Sequence, residues 1–254
     1  MARGRPLRLP PPYLKRIAFR PDVTIDRSAY PMSLPFLRHD DFALEFDRAV
    51  TILVGENGVG KSTLLEAIAA IAGFDQAGGG PGYRPIDHSG ARERNGDVLA
   101  AAMRASWLPK VGQGWFFRAE SFFSVARYLD RAAAESRGEA PDFLSHSHGE
   151  GFLRFFEERC TRPGIFLFDE PESALSPARQ FEFLKLLRTM QDSGQTQVIM
   201  ATHSPVLMAL PGAALIGMTR GELAPTTLEE TDHYRLMRAF AVDPAGTIAA
   251  MLDG

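Results

Sequence analysis

The stretch Gly55-Glu56-Asn57-Gly58-Val59-Gly60-Lys61-Ser62 is the most informative part of the sequence, because it fits the pattern G-x-x-x-x-G-K-[ST] of a phosphate-binding loop. Residues 49–54 before it form an apolar run rich in β-branched side chains, which predicts a buried strand. Residues 63–72 after it are strong helix formers and end at Gly73, a common helix stop. A strand, a glycine loop and a helix in this order predict that the chain binds a nucleoside triphosphate.

The residue types of the loop match the chemistry of a bound triphosphate. Glycines allow backbone N–H groups to point toward the phosphates, and the helix N-terminus adds partial positive charge. Lys61 is expected to reach the β- and γ-phosphates, and the Ser62 hydroxyl is expected to ligate Mg²⁺. The predicted ATP-binding residues are Gly55, Glu56, Asn57, Gly58, Val59, Gly60, Lys61, Ser62 and Thr63.

The composition is that of an ordinary soluble globular protein, with 45% hydrophobic and 23% charged residues. A net charge of −3 argues against a surface that coats nucleic acid, but it leaves a local basic patch open. The single cysteine, Cys160, excludes an internal disulfide and a cysteine-rich metal site. No apolar run reaches the roughly 18 residues of a membrane span, so we expect a cytoplasmic protein. The length fits a single domain over residues 1–254, with a flexible tail at residues 1–12.

Further elements are predicted on either side of the loop. Predicted strands cover residues 15–20, 42–46 and 114–120, and predicted helices cover residues 121–135 and 152–159. Asp97 is expected to cap a helix that runs through Val98, Leu99, Met103 and Trp107. Tyr30 and Phe36 lie between the first two strands, where either could stack on an adenine ring or pack in the core; packing is favoured.

Another predicted strand, after the phosphate loop, is followed directly by acidic residues. Residues 164–168 lead directly into Asp169 and Glu170, and an Asp at such a position can hold Mg²⁺ directly or through water. A further apolar strand begins at residue 197 and ends at His203, which follows Asp169 by 34 residues. Because parallel strands of one sheet end at the same edge, we expect His203 to face the same crevice as Asp169.

The last third of the chain is predicted to contain three helices and a hairpin. A helix over residues 178–191 is expected to turn Phe181, Leu184, Leu187 and Met190 inward. A short hairpin is predicted near residues 215–228, followed by helices over residues 232–241 and 244–252.

Nearly the whole chain resembles an ABC-type ATPase domain. Gly55–Ser62 resembles the Walker A loop, and residues 165–169 resemble the Walker B strand. The resemblance implies that Glu170 is the catalytic base, that His203 is the switch histidine, and that Lys61 is the third catalytic residue. The segment Ser173, Ala174, Leu175 and Ser176 is similar to the D-loop. The phrases Val54–Ala69, Phe116–Phe123 and Thr231–Leu236 look most like those of small stand-alone bacterial ATPases.

Three positions depart from the family pattern. Ser147, His148, Gly149 and Glu150 stand where the signature usually reads Ser-Gly-Gly-Gln, with Ser147 placed 22 residues before Asp169, and Ser145 is a competing alignment. Glu120 stands for the usual metal-sensing glutamine, with Gln113 as the less favoured alternative. The D-loop ends in Ser176 where Asp is common. The resemblance therefore implies Ser62, Asp169 and Glu120 around Mg²⁺, and leaves weak or regulated hydrolysis open.

The resemblance also implies an α/β fold: a mostly parallel core sheet flanked by helices, an N-terminal antiparallel β part, and a small helical subdomain at about residues 97–160. The implied function is an ATPase that forms an ATP-dependent homodimer, with each signature serine acting in trans, and that drives an unidentified partner protein. DNA maintenance or defence would be its setting, so contact with nucleic acid stays open. The alternatives are a transporter subunit with separate membrane subunits, and a nucleotide-gated binding module that hydrolyses little.

Overall fold

A computed structural model describes residues 9–81, 95–119, 148–160 and 162–253 of the chain. The strands are β1 (Leu14–Phe19), β2 (Ala43–Glu45), β3 (Val50–Val54), β4 (Met103–Trp107), β5 (Gly114–Arg118), β6 (Gly164–Asp169), β7 (Thr196–Ala201), β8 (Ala214–Met218) and β9 (Leu223–Thr226). The helices are α1 (Lys61–Ala72), α2 (Asn95–Ala102), α3 (His148–Arg159), α4 (Pro177–Asp192), α5 (Pro205–Met208), α6 (Asp232–Val242) and α7 (Pro244–Leu252). Short 3₁₀ helices cover Pro35–Leu37, Pro171–Ala174 and Leu228–Glu230.

The central sheet has six strands in the order β5-β6-β7-β3-β8-β9. All neighbouring pairs are parallel except β8 and β9, which form the predicted antiparallel hairpin. Every residue of β3, β6 and β7 is buried, which explains why these strands are continuous apolar runs rather than alternating ones. Because the strands are parallel, the ends of β3, β5, β6 and β7 lie along one edge of the sheet.

Hydrophobic side chains cover both faces of this sheet. Phe116 and Leu167 face the side that α1 packs against, while Phe117 and Phe168 face the side of α3 and α4. On the second face the rings of Phe117 and Phe168 stack at 4.8 Å, and helix α3 inserts Phe155 and Phe156. The mostly parallel sheet flanked by helices confirms the predicted α/β class.

A three-stranded antiparallel sheet in the order β2-β1-β4 contains the predicted N-terminal β part. Its third strand corrects the prediction that Met103 and Trp107 continue a helix: α2 ends at Ala102, and β4 pairs with β1. The buried Met103 and exposed Arg104 begin an alternation of exposure typical of a half-buried strand. Asp97 lies in the first turn of α2, which begins at Asn95, rather than capping the helix.

Helix α4 covers the predicted segment but turns a different phenylalanine inward. Phe181 is 54% exposed, so the expectation that it faces the core is wrong. Phe183, Leu187 and Met190 form the buried face, with the spacing of one helix stripe. The Phe183 ring centroid lies 5.2 Å from those of Phe156 and Phe168.

The expected helical subdomain at about residues 97–160 contains two strands in the structure. Within this range, β4 joins the antiparallel sheet and β5 joins the edge of the parallel sheet. Residues 120–147, with the predicted helix over 121–135, lie outside the described residues, as do residues 1–8 of the predicted tail. The extent of the subdomain and the single-domain assignment therefore stay predictions. Along the described ranges, no helix is both long and apolar enough to cross a membrane.

Candidate active site

The loop between β3 and α1 is closely packed against the N-terminal segment. Gly60, the residue before α1, has a φ of +100°, a conformation that side chains rarely adopt. A Cβ atom at this position would lie 2.9 Å from Leu34 Cδ1 and 2.9 Å from Phe36 Cε1. Glycine is therefore needed here for its backbone conformation and for the close approach of these two side chains.

Lys61 is the first residue of α1, and its side chain folds back over the loop. Its Nζ donates hydrogen bonds to the carbonyl oxygens of Gly55 at 2.8 Å and Glu56 at 3.0 Å. The residue is only 4% exposed. Burial lowers the pKa of Lys61, while the nearby carboxylates of Glu170 and Asp169 oppose that shift. A cation held over the loop in this way is suited to contact a triphosphate.

Asp169 ends β6 and lies against the start of α1. The Ser62 hydroxyl donates to Asp169 Oδ1 at 3.0 Å. Two neighbouring ligands of octahedral Mg²⁺, each bound at about 2.1 Å, are themselves about 3 Å apart, so this hydroxyl–carboxylate pair fits the ion. Burial raises the pKa of Asp169 to about 6, against the opposing effects of Arg118 and the Ser62 hydrogen bond. A bound cation would favour the charged carboxylate.

No group of three or more His, Cys, Asp or Glu side chains that could hold a metal occurs within residues 9–81, 95–119, 148–160 and 162–253. Mg²⁺ usually takes one or two protein ligands and completes its shell with phosphate oxygens and water. Ser62 and Asp169 are consistent with that pattern. Glu120, the third predicted ligand, lies outside the described residues.

Arg118 was not among the predicted site residues, yet it joins this cluster. It ends β5 and stands beside Asp169 in the β5–β6 register. Its Nη1 pairs with Glu66 Oε1 at 2.7 Å, and its Nε lies 3.4 Å from Asp169 Oδ2. The same argument that pointed to Asp169 and His203, polar residues at the ends of parallel strands, also applies to Arg118.

Glu170 adopts a backbone conformation that is rare for a residue other than glycine. Its φ is +47° and its ψ is +53°, directly after β6 and before the 3₁₀ helix Pro171–Ala174. Such left-handed geometry costs about 1 kcal/mol or more in a non-glycine residue and is found preferentially at functional sites. The side chain is 39% exposed, and its Oε1 lies 3.4 Å from His203 Nε2. Glu170 thus presents a solvent-accessible carboxylate beside the loop.

His203 follows the end of β7 and is held from two sides. Its backbone N–H donates to Glu172 Oε1 at 2.5 Å, and its ring Nδ1 lies 2.8 Å from His233 Nε2. Burial lowers the pKa of His203, and Lys61 and His233 act in the same direction while Glu170 opposes them. The ring is therefore neutral at neutral pH. The structure brings His203 to the crevice that contains Lys61 and Glu170, as expected.

The predicted D-loop segment lies between Glu170 and α4. The Ser173 N–H donates to the Glu170 carbonyl at 3.1 Å, and Leu175 is buried. Ser176 is the N-cap of α4, where its hydroxyl accepts from the Arg179 N–H at 3.4 Å. A serine caps a helix about as well as the more common Asp does, which accounts physically for this departure. Its role as a D-loop residue stays a prediction.

The structure describes the predicted signature segment only in part. Ser147 lies outside the described residues. His148, Gly149 and Glu150 form the first turn of α3, and only their backbone is described. Helix α3 therefore begins directly after Ser147, and the assignment of this segment stays a prediction.

The two candidate adenine-stacking residues differ in their surroundings. Phe36 is 4% exposed and belongs to the hydrophobic core, so it packs rather than stacks. Tyr30 is half exposed, and its hydroxyl is hydrogen-bonded to the hydroxyl of Thr63, one of the predicted ATP-binding residues. Among the loop's other residues, Glu56 and Asn57 line a groove of about 1110 Å³ that His203 also borders.

Comparisons with known proteins identify relatives of this chain. The family model described as "AAA domain, putative AbiEii toxin, Type IV TA system" matches residues 118–209, and one described as "AAA domain" matches residues 35–97. The hemin import ATP-binding protein HmuV of Burkholderia thailandensis is 30% identical over 68% of this chain and 75% of its own length. The molybdenum import ATP-binding protein ModC of Pseudomonas fluorescens is 28% identical over 85% of this chain.

The chain spans 61% of the length of ModC. A solved structure of cbiO1 from Clostridium perfringens, part of the ABC transporter complex cbiONQ, is 19% identical with a TM-score of 0.41, covering 83% of this chain and 91% of its own. The similarity to HmuV extends over one alignment of 210 residues. The chain belongs to the ABC-type P-loop ATPases.

Proposed function

We propose that this chain binds ATP with Mg²⁺ and hydrolyses it, and that it forms an ATP-dependent homodimer that drives or gates a partner protein. The observation that carries the proposal is the meeting of five side chains at one edge of the parallel sheet: Lys61, Ser62, Asp169, Glu170 and His203. Helix α1, which follows β3, supplies the first two, and the carboxyl ends of β6 and β7 supply the other three, which is how such a fold builds a phosphate site.

Each side chain has a part in hydrolysis that its chemistry supports. Lys61 and the loop N–H groups bind the β- and γ-phosphates. Mg²⁺, held by Ser62 and Asp169, would neutralise the charge that develops on the phosphate oxygens. Glu170 accepts a proton from the attacking water, and its partial exposure leaves room for that water. His203 donates a hydrogen bond to the γ-phosphate.

The homodimer rests on the signature-like segment. A phosphate at the N-terminus of α3 would meet free backbone N–H groups and the positive end of the helix dipole. We assign Ser147 and the Gly149 backbone to the ATP of the second subunit. Glu150 must then turn away or pair with a cation, since a carboxylate repels a triphosphate.

Two observations point to different partners. The description of the family model over residues 118–209, "AAA domain, putative AbiEii toxin, Type IV TA system", supports a partner in defence. HmuV and ModC are named import ATP-binding proteins, which supports the alternative, a transporter subunit with separate membrane subunits. Affinity purification from native cells distinguishes them: recovery of a membrane protein would favour transport, and recovery of a nucleic-acid-directed or toxin protein would favour defence.

The catalytic part of the proposal is tested by Mg²⁺-dependent phosphate release from ATP. Glu170→Gln should bind ATP with wild-type affinity but turn over at least about 100-fold more slowly, because a positioned base contributes on this order. Lys61→Ala should lose ATP binding itself. Glu222→Gln, at an exposed turn residue, controls for the loss of one carboxylate. Wild-type turnover in Glu170→Gln would remove Glu170 from the mechanism.

A further inference from the structure

A contact between two histidines links the C-terminal helices to the proposed phosphate site. His203 Nδ1 lies 2.8 Å from His233 Nε2, and the two ring centroids are 4.9 Å apart. His233 is the second residue of α6, whose N-cap is Thr231. His233 lies in the phrase Thr231–Leu236 noted above, but the resemblance assigns it no role in the site, so its role has to be derived from the contact itself.

The chemistry of the contact depends on where each ring carries its proton. Burial keeps the His203 ring neutral, so that it has one N–H group and one bare nitrogen. A hydrogen bond at 2.8 Å between two ring nitrogens requires one donor and one acceptor. Therefore either His233 donates and His203 carries its proton on Nε2, or His203 donates from Nδ1 and its Nε2 is bare.

The other side of the His203 ring decides between these arrangements. Nε2 is buried without a hydrogen-bond partner among the described residues, and Glu170 Oε1 lies 3.4 Å away. A bare Nε2 would turn its lone pair toward a carboxylate and toward an incoming phosphate, which is repulsive. An N–H group there would face two acceptors.

We propose that His233 is a positioning residue: it donates its Nε2–H to His203 Nδ1, and thereby holds the His203 proton on Nε2, directed at Glu170 and the γ-phosphate. This inference rests on the proposed function, because it assigns His203 to the γ-phosphate. His233 lines the groove beside Glu56 and Asn57 of the loop, and its proposed effect on the γ-phosphate passes through His203.

Helix α6, which carries His233, packs only loosely against the rest of the protein. Neither α6 nor α7 contains a buried residue, and Phe240, Val242 and Leu252 on this pair of helices are exposed apolar side chains. The groove of about 1110 Å³ separates much of the pair from Glu56 and Asn57 of the loop. A shift of α6 by about 1 Å is enough to break a hydrogen bond of this length. The proton position on His203 thus depends on where α6 lies.

The first experiment reads the proton directly. Long-range ¹H–¹⁵N correlation spectra of histidine-labelled, nucleotide-free protein distinguish the two tautomers, and the chain has six histidines to resolve. His203→Ala and His233→Met identify the two signals. We expect His203 to carry its proton on Nε2. A proton on Nδ1 of His203 would overturn the proposal. This measurement needs no hydrolysis, so its outcome is independent of whether the chain is an ATPase.

The second experiment compares two variants of similar length. His233→Gln keeps an N–H donor near the position of Nε2, whereas His233→Met has none. We expect Gln to retain kcat within about twofold and Met to lower kcat roughly five- to tenfold, the effect of one lost hydrogen bond, with little change in KM for ATP. Arg238→Met, on the exposed side of α6, is the matched control, and thermal unfolding verifies that each variant is folded. Equal kcat values in the Gln and Met variants would refute a donor role for His233.

Discussion

The buried carboxyl group of Asp169 should make the stability of the nucleotide-free protein depend on pH. Asp169 is 6% exposed, and burial raises its pKa from the ordinary value of 3.8 to about 6. The folded state therefore binds this proton more tightly than the unfolded state does. The stabilisation is fully present below pH 3.8 and is lost as the pH rises through about 6. Asp169→Asn removes this titration.

The magnitude follows from the two pKa values. A rise from 3.8 to about 6 corresponds to about 3 kcal/mol of folding free energy, of which about 2 kcal/mol falls between pH 4.5 and 7.5. Relative to wild type, Asp169→Asn should therefore gain about 2 kcal/mol in unfolding free energy between these pH values. A contribution that does not depend on pH, such as the Asn amide facing Arg118, cancels in this comparison.

Urea unfolding of both proteins at a series of pH values, without Mg²⁺ or nucleotide, measures this difference. Asp47→Asn removes an exposed carboxylate and should show a much smaller change. Saturating Mg²⁺–ATP should then stabilise the wild type more than Asp169→Asn, because the variant lacks one of the proposed Mg²⁺ ligands and binds the complex more weakly. A difference between the two proteins that stays constant with pH would refute the argument that burial shifts the pKa of Asp169.

Two further predictions concern the γ-phosphate and the dimer. His203→Ala should slow hydrolysis by roughly tenfold and leave ADP affinity, measured by calorimetry, nearly intact, because ADP lacks the group that His203 contacts; equal losses of ATP and ADP affinity would indicate a structural histidine. In Glu170→Gln protein, ATP should convert monomers into dimers detectable by light scattering, and a further Ser147→Arg change should abolish them. Dimers that persist with Ser147→Arg would contradict the assignment of the signature segment.

Much of the fold was predictable because the central strands are parallel and buried on both faces. Such strands are recognisable as continuous apolar runs, and their carboxyl ends meet at one edge of the sheet. This rule predicted from the sequence that Asp169, Glu170 and His203 would approach the phosphate loop, and the structure brings them there.

The sequence was less informative where the spacing of apolar residues in a short segment fits both a helix and a strand. Met103 and Trp107 lie four residues apart, which suits one face of a helix and one face of a strand equally well. The pairing of β4 with β1 decides in favour of the strand, and its partner lies more than 80 residues earlier in the chain. The prediction that Phe181 faces the core is wrong for a related reason. The buried stripe of α4 contains Phe183, and the position of the sheet determines which stripe of the helix is buried.

The sequence motifs did not identify Arg118 or His233 as site residues, for two different reasons. Arg118 ends a parallel strand, so the strand-end rule could have identified it, but the register that places it beside Asp169 is a non-local property. His233 ends no strand. His233 lies 30 residues after His203 in the sequence. It reaches His203 only because α6, which follows the β8–β9 hairpin, packs beside the phosphate loop. The motifs name the groups that meet the phosphates, whereas the groups that set the charge and proton position of those residues depend on tertiary packing.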